Sequence, residues 1–399
     1  MHNRPNRQRA LSPSNMQFSQ LLISLLAAVL AESQLDKWAK AAGLKYFGTA
    51  IDNPSLNNQA YMKIARDKDE FGQITPANGQ KWSNTESSQG RFNYGSGDAI
   101  ANVAKQTGQL LRCHTLVWYN QLPSWGEKCC RLIITRGLLT PLSYPVSSTY
   151  NRDQMQRIIT AHIQNVAGHY KGQCYSWDVV NEAFEDDGKF RQSASPSPLF
   201  IRLFLSPSLF SPLSPFSPPL LTMWLNIVYR AMGLSYITHS FLTASLTDPT
   251  AKLYYNDFNI ERCCNAKINA TLAMVKAVQA AGARIDGIGM QGHSRVGKSP
   301  SKRELMDTMA RFGELVAEVA FTEVDIRHTK LPVGEAEREQ QARDYGEVVG
   351  ACLETRACVG VTVWDWTDQV SSGGWVGLRG VGSADMSCVV FVDPGAVSW

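Results

Sequence analysis

The chain has 399 residues, of which 44% are hydrophobic and 19% charged, an ordinary globular composition for one large domain or two average ones. Its formal net charge is only +4, and no stripe of lysine and arginine interleaved with aromatic residues is present, so a nucleic-acid partner is not expected. This balance suits a neutral substrate.

The N-terminal segment has the pattern of a secretion signal. Three arginines precede an apolar run from Leu21 to Ala31 that is too short to span a bilayer. Residues 1–31 are therefore predicted to be a signal peptide, with cleavage after Ala31 and with Met16 as a candidate start. The protein is expected to be extracellular, without a membrane anchor. The alternative is a buried N-terminal helix.

Nine cysteines in a secreted chain predict disulfide bonds, and the odd number leaves at least one cysteine unpaired. Cys352 and Cys358, which flank the turn into a predicted strand, are the expected pair. The other cysteines lack the paired spacing with histidines that zinc sites use, so no metal site is expected. Asn269, in the sequon Asn-Ala-Thr, is a predicted glycosylation site on the surface.

Eight apolar runs of strand length follow the signal segment. They cover residues 44–51, 71–75, 110–118, 175–181, 252–256, 285–291, 319–324 and 358–364. Apolar residues three and four apart between these runs indicate helices, most clearly at 266–281 and 302–315. Alternating strands and helices are typical of a parallel sheet, and eight strands predict an α/β fold, a closed (β/α)8 TIM barrel within residues 32–399.

Two long intervals between predicted strands have an unusual composition. Residues from about 194 to 222 are mainly serine, proline, leucine and phenylalanine with almost no charge, and residues from about 127 to 148 also lack a pattern. Because long structureless loops are rare in compact domains, we interpret both as insertions from imperfect gene assembly. The tail from about 370 to 399 lacks helical periodicity, so the barrel is expected to be incomplete at its C-terminal end.

Two predicted strands each carry a glutamate toward the carboxyl end. The run YSWDVVNEAF at 175–184 ends in a polar tip with Glu182, and VAFTEVDI at 319–326 carries Glu323. Cleavage of a glycosidic bond needs one carboxylic acid to protonate the leaving oxygen and a second, ionised carboxylate at the anomeric carbon. The pair is therefore predicted to be catalytic; the alternative is that both are ordinary carboxylates in salt bridges.

Three further side chains fit this chemistry. Asn181, directly before the predicted acid, can donate its amide to the sugar 2-hydroxyl. His293 can hydrogen-bond Glu323 and keep it ionised, and Asp325 can orient that histidine.

The motifs Trp177-Asp-Val-Val-Asn-Glu182 and Thr322-Glu-Val-Asp325 closely resemble the signatures of glycoside hydrolase family 10, the retaining endo-β-1,4-xylanases. The resemblance covers most of residues 34 to about 368, apart from the two unpatterned segments. It implies that Glu182 is the acid/base and Glu323 the nucleophile, and that no metal or organic cofactor is required.

The resemblance also implies which residues bind the sugar chain. They are Asn78 and Lys81 in the second-strand motif, His114 and Trp118 in the third, Tyr255 and Asn256 on the aglycone side, Gln291 beside His293, and Trp364 and Trp375 toward the C-terminus. Aromatic rings suit the apolar C–H faces of sugars. This chain carries Ala77 where members of the family often carry glutamate, which removes one expected hydrogen bond to substrate.

These observations predict a secreted, monomeric endo-1,4-β-xylanase that hydrolyses xylan and xylo-oligosaccharides with retention of configuration. Two alternatives stay open at this point. One is a related barrel glycosidase that acts on β-1,4-glucan. The other is a misassembled product that binds sugar without hydrolysing it.

Overall fold

A computed structural model describes residues 34–123, 125, 150–191, 193–194, 224–225, 227–330 and 332–367. The predicted signal peptide, the segment at about 127–148, nearly all of the segment at about 194–222 and the tail from 370 onward lie outside the described residues.

The fold is a closed barrel of eight parallel strands. In chain order the strands are β1 (Tyr46–Ile51), β2 (Gln73–Pro76), β3 (Leu110–Cys113), β4 (Val117–Trp118), β5 (Ser176–Asn181), β6 (Ser193–Ala194), β7 (Trp224–Leu225), β8 (Lys252–Asp257), β9 (Gly287–Met290), β10 (His293–Arg295), β11 (Glu318–Arg327) and β12 (Cys358–Val363). The ring runs β1-β2-β3-β5-β8-β9-β11-β12, and β12 pairs with β1 to close it. The predicted (β/α)8 TIM barrel is confirmed.

Among the described residues, four short strands lie outside this ring. β4 pairs with β5 and β10 pairs with β11, both in parallel, so each extends the barrel wall toward the carboxyl ends of the strands. β6 and β7 form a separate antiparallel pair. The predicted third run divides into β3 and β4 because the backbone N–H of His114 donates to the Gln80 side chain at 3.0 Å instead of to a neighbouring strand.

Helices connect the strands and cover the outside of the barrel. They are α1 (Leu35–Ala41), α2 (Gln59–Ala65), α3 (Trp82–Thr85), α4 (Gly95–Thr107), α5 (Arg152–His169), α6 (Ile227–Met232), α7 (Ser235–Thr247), α8 (Ala266–Ala280), α9 (Lys302–Gly313) and α10 (Glu335–Glu354). Both predicted helices are confirmed as α8 and α9. The start of α9 is fixed by a capping box in which Ser301 and Glu304 satisfy each other's backbone N–H groups.

The barrel interior contains a buried ion pair. Arg112 and Asp178 form it, and each side chain is 1% exposed. The Arg112 guanidinium also stacks 4.5 Å from the centre of the Tyr254 ring. Because Asp178 additionally faces His114 Nδ1 at 2.9 Å, this interior pair fixes a side chain at the upper rim of the barrel.

Two disulfide bonds join described cysteines. Cys352 is bonded to Cys358, as predicted. The second bond, between Cys113 and Cys174, links the end of β3 to the segment that enters β5 and was not predicted. Among the cysteines that the structure describes, Cys263 and Cys264 are unbonded.

Within the described ranges, no group of three or more histidine, cysteine, aspartate or glutamate side chains is arranged to hold a metal ion. None of the helices described has the length and apolar character needed to cross a membrane.

The two disulfides are expected to stabilise the fold unequally. The Cys113–Cys174 bond joins residues 61 positions apart and the Cys352–Cys358 bond residues 6 apart, so the first restricts the unfolded chain more. Replacing both cysteines of the first pair by serine should lower the free energy of unfolding by about 2 kcal/mol more than the same change at the second pair. Urea unfolding of the two double variants measures the difference. Equal destabilisation would contradict this account.

Candidate active site

Glu182 lies directly after the end of β5, at the rim where the carboxyl ends of the barrel strands meet. Its backbone adopts the left-handed conformation with φ +55°, which is uncommon for a residue other than glycine. Its N–H donates to the carbonyl of Asn256, the neighbouring strand end, at 2.8 Å. This turn of the backbone ends the strand and leaves Glu182 8% exposed at the rim.

Two amide side chains surround the Glu182 carboxyl. Gln291 donates from Nε2 to Glu182 Oε1 at 2.9 Å, and Asn181 donates from Nδ2 to the same oxygen at 3.3 Å. Asn181 Oδ1 in turn accepts from Gln291 at 3.3 Å and from Asn256 Nδ2 at 2.9 Å. Asn181 and Gln291, both predicted site residues, therefore lie against the predicted acid/base.

Glu323, within β11, is the second predicted carboxylate at this rim and is 6% exposed. Its Oε1 accepts from Asn256 Nδ2 at 2.8 Å, and its Oε2 faces His293 Nε2 at 3.4 Å. The orientation of the Asn256 amide is fixed by the hydroxyl of Thr322, which donates to its oxygen at 2.6 Å. Since Asn256 also contacts Asn181, one continuous network joins the surroundings of Glu182 and Glu323.

The charge state of Glu323 is controlled by His293. Burial alone would lower the pKa of His293, but its hydrogen bonds to Asp325, at 2.8 Å, and to Glu323 raise that pKa to about 10. Burial likewise favours protonation of Glu323, but the bond from His293, the nearby His114 and the bond from Asn256 lower its pKa to about 2. Glu323 is thus a carboxylate at neutral pH, paired with an imidazolium.

Lys81 forms a further cationic edge of the site. Its ammonium donates to Asn78 Oδ1 at 3.0 Å and lies 4.8 Å from the centre of the Trp118 ring. Asn78 is held by Asp52, which accepts from its amide at 2.8 Å. Burial lowers the pKa of Lys81 below its ordinary value, although the charges of Glu323 and Glu182 act to raise it.

Aromatic and imidazole rings border the same rim. Trp118, at the end of β4, and Trp364, just after β12, are half-buried. The His114 ring meets the Trp364 ring edge to face, with 5.5 Å between centres. Trp375, the remaining predicted aromatic contact, lies outside the described residues.

Tyr255 lies beneath the rim and does not border it. Its side chain is fully buried; its hydroxyl accepts from the N–H of Ala183 at 3.1 Å and donates to Asp257. Asp257 is buried against the ammonium of Lys267 at 2.9 Å. This placement fits a residue that orients the backbone next to Glu182, whereas the sequence interpretation was that Tyr255 lines the aglycone side.

Sequence reasoning missed Arg191. Its side chain is 8% exposed and donates to the backbone carbonyls of Glu182, at 3.2 Å, and Phe184, at 2.9 Å. It lies in an irregular segment without helical or strand periodicity, and none of its neighbours belongs to a motif. Only its distance of nine residues from Glu182 hints that it belongs to the site.

The arrangement supplies the two functions that acetal cleavage needs. Glu323 is held ionised by His293, and Glu182 is held at the same rim by neutral amide donors. A carboxylate nucleophile and a separate proton donor are the pair used by glycosidases. The rings around them can pack against the C–H faces of a sugar, and the amides can hydrogen-bond its hydroxyls.

Comparisons with known proteins agree with this site. Residues 34–379 match the model of the family described as glycosyl hydrolase family 10. An endo-1,4-beta-xylanase 1 of Humicola insolens is 43% identical over 352 residues, which cover 88% of this chain and 70% of that protein. An endo-1,4-beta-xylanase of Agaricus bisporus is 39% identical over 358 residues, covering 89% of this chain and 90% of that protein.

A solved structure shows the same fold. The crystal structure of a GH10 xylanase from Bispora sp. MEY-1 with xylobiose superimposes with a TM-score of 0.70 and 31% sequence identity, over 85% of this chain and 89% of that chain. The family match spans most of the sequence and includes Glu182 and Glu323. The chain therefore belongs to glycosyl hydrolase family 10, and is a glycoside hydrolase.

Proposed function

We propose that this protein is an endo-1,4-β-xylanase that hydrolyses internal β-1,4-xylosidic bonds of xylan and xylo-oligosaccharides with retention of configuration. The observation that carries the proposal is the joining of Glu182 and Glu323 through Asn181, Asn256 and Gln291 at one rim of the barrel. The relatives named endo-1,4-beta-xylanases and the neighbour solved with xylobiose support xylan as the substrate class.

In the first proposed step Glu323 attacks the anomeric carbon while the bond to the leaving oxygen breaks. Glu182 donates its proton to that oxygen, so the shortened chain leaves as a neutral alcohol. The product on the protein is a glycosyl ester of Glu323. The imidazolium of His293, oriented by Asp325, favours the ionised nucleophile before attack.

In the second proposed step water attacks the anomeric carbon from the face that the leaving group vacated. The Glu182 carboxylate takes a proton from this water as the bond to Glu323 breaks, which restores both groups. Two inversions at one carbon give net retention. Neither step draws on a metal or an organic cofactor.

The neighbouring side chains suit recognition of a xylose unit between the two glutamates. The Asn181 amide lies 3.3 Å from Glu182 Oε1, which supports its proposed role as a donor to a sugar 2-hydroxyl beside that carboxyl. Asn78 and Lys81 offer donors and acceptors for the other hydroxyls, and Trp118 and Trp364 offer ring faces.

We further propose that the protein is secreted and acts as a monomer. Two disulfide bonds support secretion, because such bonds persist in oxidising compartments. Asn269 is exposed on α8, which supports its proposed glycosylation. Fractionation of the culture medium and light scattering of the purified protein test both proposals.

Replacing either glutamate by alanine should abolish most activity on xylan. Loss of the acid/base in Glu182→Ala should reduce the rate about 100-fold to 10,000-fold, because the leaving oxygen would depart unprotonated. Loss of the nucleophile in Glu323→Ala should be at least as severe. Azide added with an activated aryl xylobioside should give a β-glycosyl azide from Glu182→Ala and an α-glycosyl azide from Glu323→Ala.

Glu339→Ala is the matched control, because this glutamate lies on α10 with its side chain 62% exposed. Its activity should equal that of the unmodified protein. Full activity in Glu182→Ala or in Glu323→Ala would show that the catalytic assignment is wrong.

Replacing His293 by asparagine should move the acidic limb of kcat/KM to higher pH. The bond from His293 is the first of the contacts that lower the pKa of Glu323 to about 2, and the ionised nucleophile is lost only as the pH falls through that value. Without the imidazolium the pKa of Glu323 rises, and activity should fall at a higher pH. The measurement is kcat/KM on an aryl xylobioside from about pH 3 to pH 8, which reports the free enzyme.

His239→Asn, on helix α7, serves as the control for this titration. Each variant is preincubated at every pH and then assayed at neutral pH, which separates inactivation from titration. An acidic limb at the same pH in His293→Asn and the unmodified protein would refute the proposed role of His293.

The first product released from xylo-oligosaccharides should carry a β-configured reducing end. Two successive displacements through an ester on Glu323 retain the configuration, whereas direct attack by water would invert it. Proton NMR in the first minutes, before mutarotation, distinguishes the two. Carboxymethylcellulose is the comparison substrate: reducing ends released from it as fast as from xylan would favour a β-1,4-glucanase.

A further inference from the structure

We propose that Arg191 is the positioning residue of the acid/base, holding the strained backbone at Glu182 so that its carboxyl points at the leaving oxygen. The inference rests on the proposed role of Glu182. It gives a role in protonation of the leaving oxygen to a buried arginine that lies outside both strand motifs.

The backbone at Glu182 needs support because its left-handed conformation, with φ +55°, is unfavourable for a residue with a side chain. Two N–H groups of this turn are held from the β8 side. Glu182 N–H donates to the Asn256 carbonyl at 2.8 Å, and Ala183 N–H donates to the Tyr255 hydroxyl at 3.1 Å. These bonds satisfy the N–H groups of the turn, whereas its carbonyl groups need hydrogen-bond donors from another segment.

Arg191 holds three successive carbonyls of the turn. Its Nε donates to the carbonyl of Glu182 at 3.2 Å, and its Nη2 to the carbonyl of Phe184 at 2.9 Å. Its backbone N–H donates to the carbonyl between them, that of Ala183, at 2.8 Å. A planar guanidinium can bridge two carbonyls in a fixed orientation, which a lysine ammonium cannot reproduce.

Arg191 is itself held rigidly. Its guanidinium lies 4.6 Å from the centre of the Tyr119 ring and 5.5 Å from that of Phe258, and Nη1 is 2.8 Å from Glu185 Oε2. Burial acts to lower the pKa of Arg191, but Tyr119 and Glu185 raise it above the ordinary value. A charged, packed guanidinium is suited to fixing a backbone turn.

This arrangement predicts a selective defect. The groups that hold Glu323 are His293 and Asn256, and neither contact passes through Arg191. Loosening the turn should therefore misplace the proton donor and leave the nucleophile in place. Small displacements of a reacting group have large effects on rate.

The test compares two leaving groups in Arg191→Met and Arg191→Lys. Phenyl β-xylobioside needs protonation of its leaving oxygen, whereas the 2,4-dinitrophenyl analogue departs without it. We expect kcat/KM for the phenyl substrate to fall by about tenfold or more and that for the dinitrophenyl substrate to stay within about twofold. Thermal unfolding checks that each variant is folded, and Arg343→Met on α10, 60% exposed, is the matched control.

Equal losses on both substrates, or no loss on either, would overturn the proposal. If Arg191→Met does not fold, the same comparison in Arg191→Lys decides. In a Glu182→Ala background, Arg191→Met should have no additional effect on the phenyl substrate, because the donor that it positions is absent. If Glu182→Ala itself slows both substrates equally, the proposed acid/base role fails, which is a different result from failure of Arg191 alone.

Discussion

The closure of the barrel is the constraint on which the site depends. Glu182 follows β5 and Glu323 lies in β11, and the ring places β8 and β9 between these strands. Each intervening strand end supplies one amide, from Asn256 and Gln291, that reaches toward the carboxylates. An open sheet would not fix the distance between the outer strands, whereas a closed ring of parallel strands holds all four groups at one rim.

The two carboxylates have different surroundings although they share this network. Glu323 faces the imidazolium of His293, which Asp325 holds from its other nitrogen. Glu182 faces the amides of Gln291 and Asn181, which are neutral. A full positive charge favours the ionised form of its partner more strongly than a neutral donor does, so the contact with His293 sets Glu323 apart as the carboxylate held in its ionised form.

Sequence reasoning succeeded where local pattern determines position. Alternating strands and helices predicted the barrel, and the apolar runs that precede Glu182 and Glu323 indicated that both lie toward the carboxyl ends of barrel strands, whereas their catalytic roles stay predictions. It failed where position depends on contacts between distant segments. The bond from Cys113 to Cys174 requires that β3 and β5 be neighbours, and the burial of Tyr255 depends on the turn that covers it. Arg191, in an irregular segment, has no periodicity from which its contacts could be inferred.

The buried charged side chains near Glu182 support the backbone turn at that residue. Lys267 and Asp257 are each fully buried, and burial raises the pKa of Asp257 to about 6 although Lys267 lowers it. Such pairs contribute little net stability, because desolvation offsets their attraction. Asp257 nevertheless accepts from Tyr255, whose hydroxyl holds the Ala183 N–H, while Arg191 holds the carbonyls of the same turn. The charged groups on both sides therefore serve to fix one unfavourable turn, and through it the direction of one carboxyl.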